Sequence, residues 1–200
     1  MKTLKVDPRA KALIFDLDGT IADTMPVHFH AYNKVVAKYG IDFTPELFKR
    51  YAGIPAGQTI QILNDKFGAN MNHEEVGQVK ELEYEKLMHQ VKPVKPVVDL
   101  IKKYNGVLPM SVGTGGHHRL AWKTLEILGL DKYFDILVSM EDVTHYKPHP
   151  ETFLKCAEKM NMEPRYCQVF EDGALGLQAA RSAGMIAVDV TEYYTVTIGM

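Results

Sequence analysis

The chain has 200 residues, 46% apolar and 24% charged, which is enough apolar material for a substantial core and typical of globular proteins with one or two domains. Its 23 Lys and Arg against 25 Asp and Glu leave a formal net charge of −2, so neither nucleic acid nor an anionic membrane is an expected partner. No apolar run reaches the roughly 18 residues of a spanning helix, the start MKTLKVDPRAK is too charged for a signal peptide, and Cys156 and Cys167 stand in no Cys-x-x-Cys arrangement. A reducing cytoplasm is the expected location.

The first apolar run, Ala12–Phe15, has strand length. Leu108–Val112, Ile136–Val138, Gln168–Phe170 and Ile186–Val190 follow later. Runs this continuous suit strands buried on both faces of a parallel sheet. From residue 25 to residue 93 the pattern is helical and no convincing strand is visible. Val27, Ala31, Val35 and Tyr39 repeat every four residues before Gly40. Leu47 to Tyr51 and Ile60 to Phe67 predict two more helices, and Glu74 to Gln90 a fourth with Val76, Val79, Leu82 and Leu87 inward. Roughly 70 residues is far too long for a strand-to-helix connection, so this stretch reads as a small inserted helical domain.

Pro93 and Pro96 mark the return to the sheet. Beyond them, Leu120, Thr124, Ile127 and Leu128 form one helix face. Phe153, Leu154, Ala157 and Met160 form a second after Pro150, and Ala174, Leu177 and Ala180 a third before Gly184. Strand–helix alternation predicts an α/β fold, a Rossmann-like open parallel sheet core of residues 1–24 and 94–200 interrupted by the helical domain 25–93.

Chemistry-bearing residues cluster at the predicted strand ends. Asp16-Leu17-Asp18-Gly19-Thr20 follows the first run directly. Two carboxylates there face the edge of the sheet where α/β folds bind ligands. Crowded together they are costly, so a cation is expected among them. Gly19 permits a sharp turn. Val112-Gly113-Thr114-Gly115-Gly116 offers a hydroxyl and backbone N–H groups suited to an oxyanion or phosphate. It is not a dinucleotide fingerprint, because the third glycine would fall on His118. Lys147 follows the third run, where a solvated surface charge is the plain alternative. Glu171-Asp172-Gly173 ends the fourth, where Asp172 either caps the next helix or binds a metal.

Together these groups suit phosphoryl transfer through a covalent aspartyl intermediate. A hard divalent ion, Mg²⁺, would offset carboxylate–phosphate repulsion, while Lys147 and Thr114 hold the transferring oxygens. The histidine pairs His28/His30, His117/His118 and His145/His149 are not expected to form a transition-metal site. His28 and His30 lie on opposite helix faces, and surface histidines are common.

The order Asp16-x-Asp18-Gly19-Thr20, Thr114, Lys147, Glu171-Asp172 resembles the haloacid dehalogenase superfamily over essentially the whole chain. The resemblance implies Asp16 as nucleophile and Asp18 as general acid and base. It also implies Mg²⁺ held by the Asp16 carboxylate, the Asp18 carbonyl and Asp172, with Glu171 beside them, and the helical insert as a cap. An aspartate at position 18 is similar to the phosphatases and mutases rather than the dehalogenases.

Within the superfamily the β-phosphoglucomutase-like branch, and in it the small sugar phosphatases acting on fructose 1-phosphate, is the most similar group. On that likeness Thr24 and His28 lie at the cap hinge near substrate, with Gly53, Gly115 and Gly116 also lining it. The chain is then a monomer taking a small phosphorylated substrate. Around Ala52-Gly53-Ile54-Pro55-Ala56 the mutases carry a lysine and an arginine that grip a second phosphate. Ala52 and Ala56 stand there instead, which favours hydrolysis over a phosphosugar mutase. A third reading is a receiver-like phospho-acceptor switch. The motif order and the acid at position 18 argue against it.

Overall fold

A computed structural model describes residues 3–51 and 54–195. Its centre is a five-stranded parallel sheet of β1 (Ala12–Phe15), β4 (Met110–Gly113), β5 (Leu137–Val138), β6 (Cys167–Glu171) and β7 (Ile186–Asp189), in the order β5-β4-β1-β6-β7. β1 therefore lies in the middle, paired with β4 on one side and β6 on the other.

The reason for its unbroken apolar run is visible in the packing. Leu13 and Phe15 enter one apolar cluster, with Val97, Val98 and Ile101 of α5 (Lys95–Tyr104) and Leu120 and Leu125 of α6 (His118–Ile127). Ala12 and Ile14 enter another, with Phe153 and Cys156 of α7 (Glu151–Lys159) and Ala179 and Ala180 of α8 (Ala174–Ser182). Successive side chains point to opposite faces, and helices cover both, so every position must be apolar. Phe15 and Phe170 stack at 4.9 Å between centroids beneath the edge where the acidic residues emerge.

Between β1 and α5 the chain forms α1 (Met25–Val36), α2 (Pro45–Tyr51), α3 (Ala56–Phe67) and α4 (His73–Leu87). They carry an apolar cluster of their own, including Tyr32, Val35, Phe43, Phe48, Ile60 and Leu63. Two connections tie this segment to the sheet side, and they form a two-stranded antiparallel pair, β2 (Ala22–Asp23) with β3 (Lys92–Pro93). Two-residue strands leave no apolar pattern, which is why the sequence shows none.

Several helix faces differ from the periodicity. On α4 the buried stripe is Val76, Lys80, Tyr84 and then Met88, and Leu82, expected inside, is 56% exposed on the other side. Tyr39 falls in a 3₁₀ turn beyond α1 and is also exposed, as are Ile127 and Leu154. Each is an apolar residue beside the true stripe, and composition alone does not separate it from the stripe. Among the described residues no helix is long and apolar enough to cross a membrane.

The helical segment is also bridged to α6 by charge. Arg119 donates to both Glu85 oxygens at 2.7 and 2.8 Å, and Lys123 donates to Glu85 Oε1 at 2.8 Å. Those hydrogen bonds, first from Arg119 and then from Lys123, hold the Glu85 carboxyl down at about 2. A depressed native value means the bridge contributes fully above the ordinary carboxyl range and is lost as pH falls from about 4.5 toward 2. Amide protection in α4 and α6, taken relative to the intrinsic exchange rate at each pH, should therefore fall over that acid interval and with added salt, and Glu85→Gln should remove both dependences. Equal responses in wild type and variant would show that the bridge does not hold α4.

Candidate active site

The sheet's chain order reverses beside β1, and the ends of β1, β4 and β6 open onto one edge there, the position where open α/β sheets bind ligands. Asp16 follows β1, with its N–H donating to the Phe170 carbonyl at 3.0 Å. The loop after β5 brings Lys147 in beneath it. Lys147 Nζ donates to Asp16 Oδ1 at 2.6 Å, to Glu171 Oε1 at 3.0 Å and to the Gly113 carbonyl at 3.2 Å. The lysine is buried, not the solvated charge that a lone lysine usually is.

Charge is poorly balanced here. Burial pushes the Asp16 carboxyl up to about 7; Lys147 opposes this, while Glu171 and Asp18 add to it. Asp172 is likewise raised by burial and by repulsion from Glu171 and Asp16, although the Thr20 hydroxyl donates to its Oδ1 at 3.0 Å. One ammonium thus serves three crowded carboxylates. The crowding is built in by glycine. Gly19 has φ +90° and lies against the Asp172 carboxylate where a Cβ would stand, and a Cβ on Gly176 of α8 would overlap the Glu171 carboxylate.

Asp18 faces the helical segment. His28 Nε2 lies 3.3 Å from its Oδ1, and the Thr114 hydroxyl 3.4 Å from its Oδ2. Behind His28, Lys80 Nζ sits 2.9 Å from His28 Nδ1 and 3.0 Å from Glu81 Oε1, with the Tyr84 ring stacked on the imidazole at 3.9 Å. The ammonium can only donate, which assigns the lone pair to Nδ1 and the proton to Nε2. Burial and Lys80 keep His28 neutral, and its N–H draws the Asp18 carboxyl below the usual range even though burial acts against that charge.

A cavity of about 320 Å³ joins these groups, lined by Asp16, Asp18, His28, Thr114, Gly115, Gly116, Lys147, Glu171 and Asp172. Its volume lies at the lower end of small-ligand sites. Tyr32, Phe48, Tyr51, Ile54, Ala56, Glu74, Gln78, Lys80 and Glu81 close it from the helical side, and His117 and Met140 from the sheet side.

Of the residues expected near substrate, Thr24 is not on this wall. It is fully buried at the start of α1, where the paired strands fix the chain entering the helix. Gly53 lies outside the described residues. His117 reaches the cavity and is hydrogen-bonded to Glu141 at 2.8 Å, whereas His118 begins α6 and lies parallel to Trp122. The sequence reading missed Lys80. The periodicity favours Val76, Val79 and Leu82, and only the packed stripe Val76, Lys80, Tyr84 shows a lysine on an apolar face that requires a buried partner.

The chain matches the family model of haloacid dehalogenase-like hydrolases over residues 13–190. It is 41% identical to the fructose-1-phosphate phosphatase of Escherichia coli (strain K12) over 183 residues, 91% of this chain and 97% of that protein. It is 32% identical to a phosphorylated carbohydrates phosphatase of Thermotoga maritima, across 88% of this chain and 82% of that one. Among solved structures, β-phosphoglucomutase from Clostridium difficile superposes with a TM-score of 0.81 at 26% identity, covering 90% of this chain and 84% of that one.

Proposed function

The chain belongs to the haloacid dehalogenase-like hydrolases and is a phosphoric monoester hydrolase of that family; we propose that it acts on small sugar phosphates, fructose 1-phosphate among them, through an aspartyl-phosphate intermediate. The observation that carries the mechanism is the division of labour between two aspartates on one strand end: Asp16 is paired to buried Lys147, and Asp18 is oriented by neutral His28.

In this reading an Asp16 carboxylate oxygen attacks phosphorus, forming the acyl phosphate as the bond to the sugar oxygen breaks. Asp18 gives its proton to that leaving oxygen. It then takes a proton from the water that attacks the phosphoryl group and restores Asp16. The resting geometry, with Asp18 ionised, suits the second half. Arrival of a phosphate's negative charge raises its proton affinity for the first. The Thr114 hydroxyl, the Gly115 and Gly116 backbone and Lys147 position the phosphoryl oxygens.

A divalent cation fits the residues present. Asp16, Glu171 and Asp172 are oxygen donors short of positive charge, the set that hard ions such as Mg²⁺ select. Asp16, Asp172 and the Asp18 carbonyl would hold it, with Glu171 beside them. Bound there, it would supply charge neutralisation between nucleophile and phosphate.

Helices α1 to α4 act as the cap in this proposal, covering the cavity and choosing the sugar. Hydrolysis is preferred over mutase chemistry because both lysines on the described wall are already engaged, Lys147 by Asp16 and Glu171 and Lys80 by His28 and Glu81. Neither is spare for a second phosphate.

Phosphate release from a panel of sugar monophosphates, with Mg²⁺ and with EDTA, tests the reading. Turnover of fructose 1-phosphate that collapses in EDTA and returns with Mg²⁺ is expected. Full activity in EDTA would remove the metal from the mechanism. Isomerised sugar phosphate without free phosphate would make the protein a mutase.

A further inference from the structure

Lys147 lies in the middle of a loop flanked by two histidines and closed by an acid at the first turn of α7. His145 Nδ1 is 3.0 Å from Glu151 Oε2, and His149 Nδ1 is 3.9 Å from the same oxygen. The two rings stand 4.6 Å apart, and one ligand atom from each of the three residues lies within 4.8 Å of the others. Tetrahedral zinc with nitrogen and oxygen ligands at about 2.0–2.1 Å needs them about 3.3 Å from one another. Small ring movements, outward for His145 and inward for His149, bring each nitrogen to that spacing from Glu151 Oε2.

The carboxylate is already anchored. Glu151 Oε1 accepts the Thr144 N–H and Oε2 the His145 N–H, both at 2.9 Å. Such support orients a ligand before a metal arrives. What a metal would displace is modest. It would take the place of the proton shared between His145 Nδ1 and Glu151, and of a 3.3 Å contact from the Glu151 N–H to His149 Nδ1. Among the described residues, Lys155 Nζ, 3.5 Å from Glu151 Oε1, is the lysine that opposes a cation at the carboxylate. Both histidine rings are about half exposed or more, which leaves room for water to complete the coordination.

We propose that His145, His149 and Glu151 form a binding site for one borderline divalent ion such as Zn²⁺, separate from the acidic cluster. Two of its ligands bracket Lys147 in the chain. Filling the site therefore tethers the loop that aims the Lys147 ammonium at Asp16 and Glu171.

The test is Zn²⁺ titration of the full chain in excess Mg²⁺, followed by calorimetry, with thermal melting as a second readout. Wild type should bind one Zn²⁺ that Asp172→Asn also binds. His149→Ala should weaken it by at least the roughly tenfold that even an outer-shell partner costs, and the His145→Ala/His149→Ala double variant should abolish it together with the Zn²⁺-induced rise in Tm. Co²⁺ in the same site should show a tetrahedral visible band that the double variant lacks. Undiminished Zn²⁺ binding in the double variant, loss of binding in Asp172→Asn, or no binding by wild type would each overturn the proposal.

Discussion

Asp16→Asn is expected to lower kcat for phosphate release by at least about 10⁴-fold, because the proposed mechanism makes Asp16 the nucleophile and an amide cannot form the acyl phosphate. The fold should survive. Asn is nearly isosteric, its amide oxygen can still accept from Lys147, and the ammonium keeps Glu171 and the Gly113 carbonyl as partners. Phosphate release from fructose 1-phosphate, alongside far-ultraviolet circular dichroism, reads both quantities. A variant within tenfold of wild type would transfer the nucleophile's role elsewhere.

Lys147→Met should be the most destabilising single change at the site. Its ammonium is the hydrogen-bond partner of two buried carboxylates and of the Gly113 carbonyl. Methionine fills similar space but leaves Asp16 and Glu171 uncompensated, which costs about 3–5 kcal/mol when one member of a buried pair is removed. Activity should be lost too, since the unpaired Asp16 takes up a proton and ceases to be a nucleophile. Urea unfolding at neutral pH measures the first effect. A loss below about 1 kcal/mol would place the contact among ordinary surface ion pairs.

Much of the fold could be read from the sequence because the physics there is local. A strand covered on both faces has to be apolar at every position, so Ala12–Phe15 is unmistakable. Asp16, Asp18, Thr114 and Glu171-Asp172 sit at or just beyond the ends of such runs, a parallel sheet aligns those ends on one edge, and the loop after β5 brings Lys147 to them. What escaped depends on which helix meets which. Lys80 matters because α4 lays it behind His28, and no spacing within α4 reveals that neighbour. Thr24 is fully buried just after β2, beside Asp18 and not on the cavity wall, and the strand pair that places it there is two residues long on each side. The exposed Leu82 marks the same boundary, an apolar residue whose face is decided only by the packing.

The central position of β1 has a consequence for how the protein comes into being. On the ribosome β1 emerges first, yet its two partners begin only at Met110 and Cys167, so the founding strand waits while the helical segment, with its own apolar cluster, is already complete by Gln90. Nonlocal pairings of this kind are slow to form. Asp16 and Asp18 leave the tunnel surrounded by water, at no electrostatic cost. The crowding of carboxylates arises only when the last third of the chain delivers Glu171 and Asp172, so a nascent molecule has its helical segment complete in sequence well before the acidic cluster can assemble.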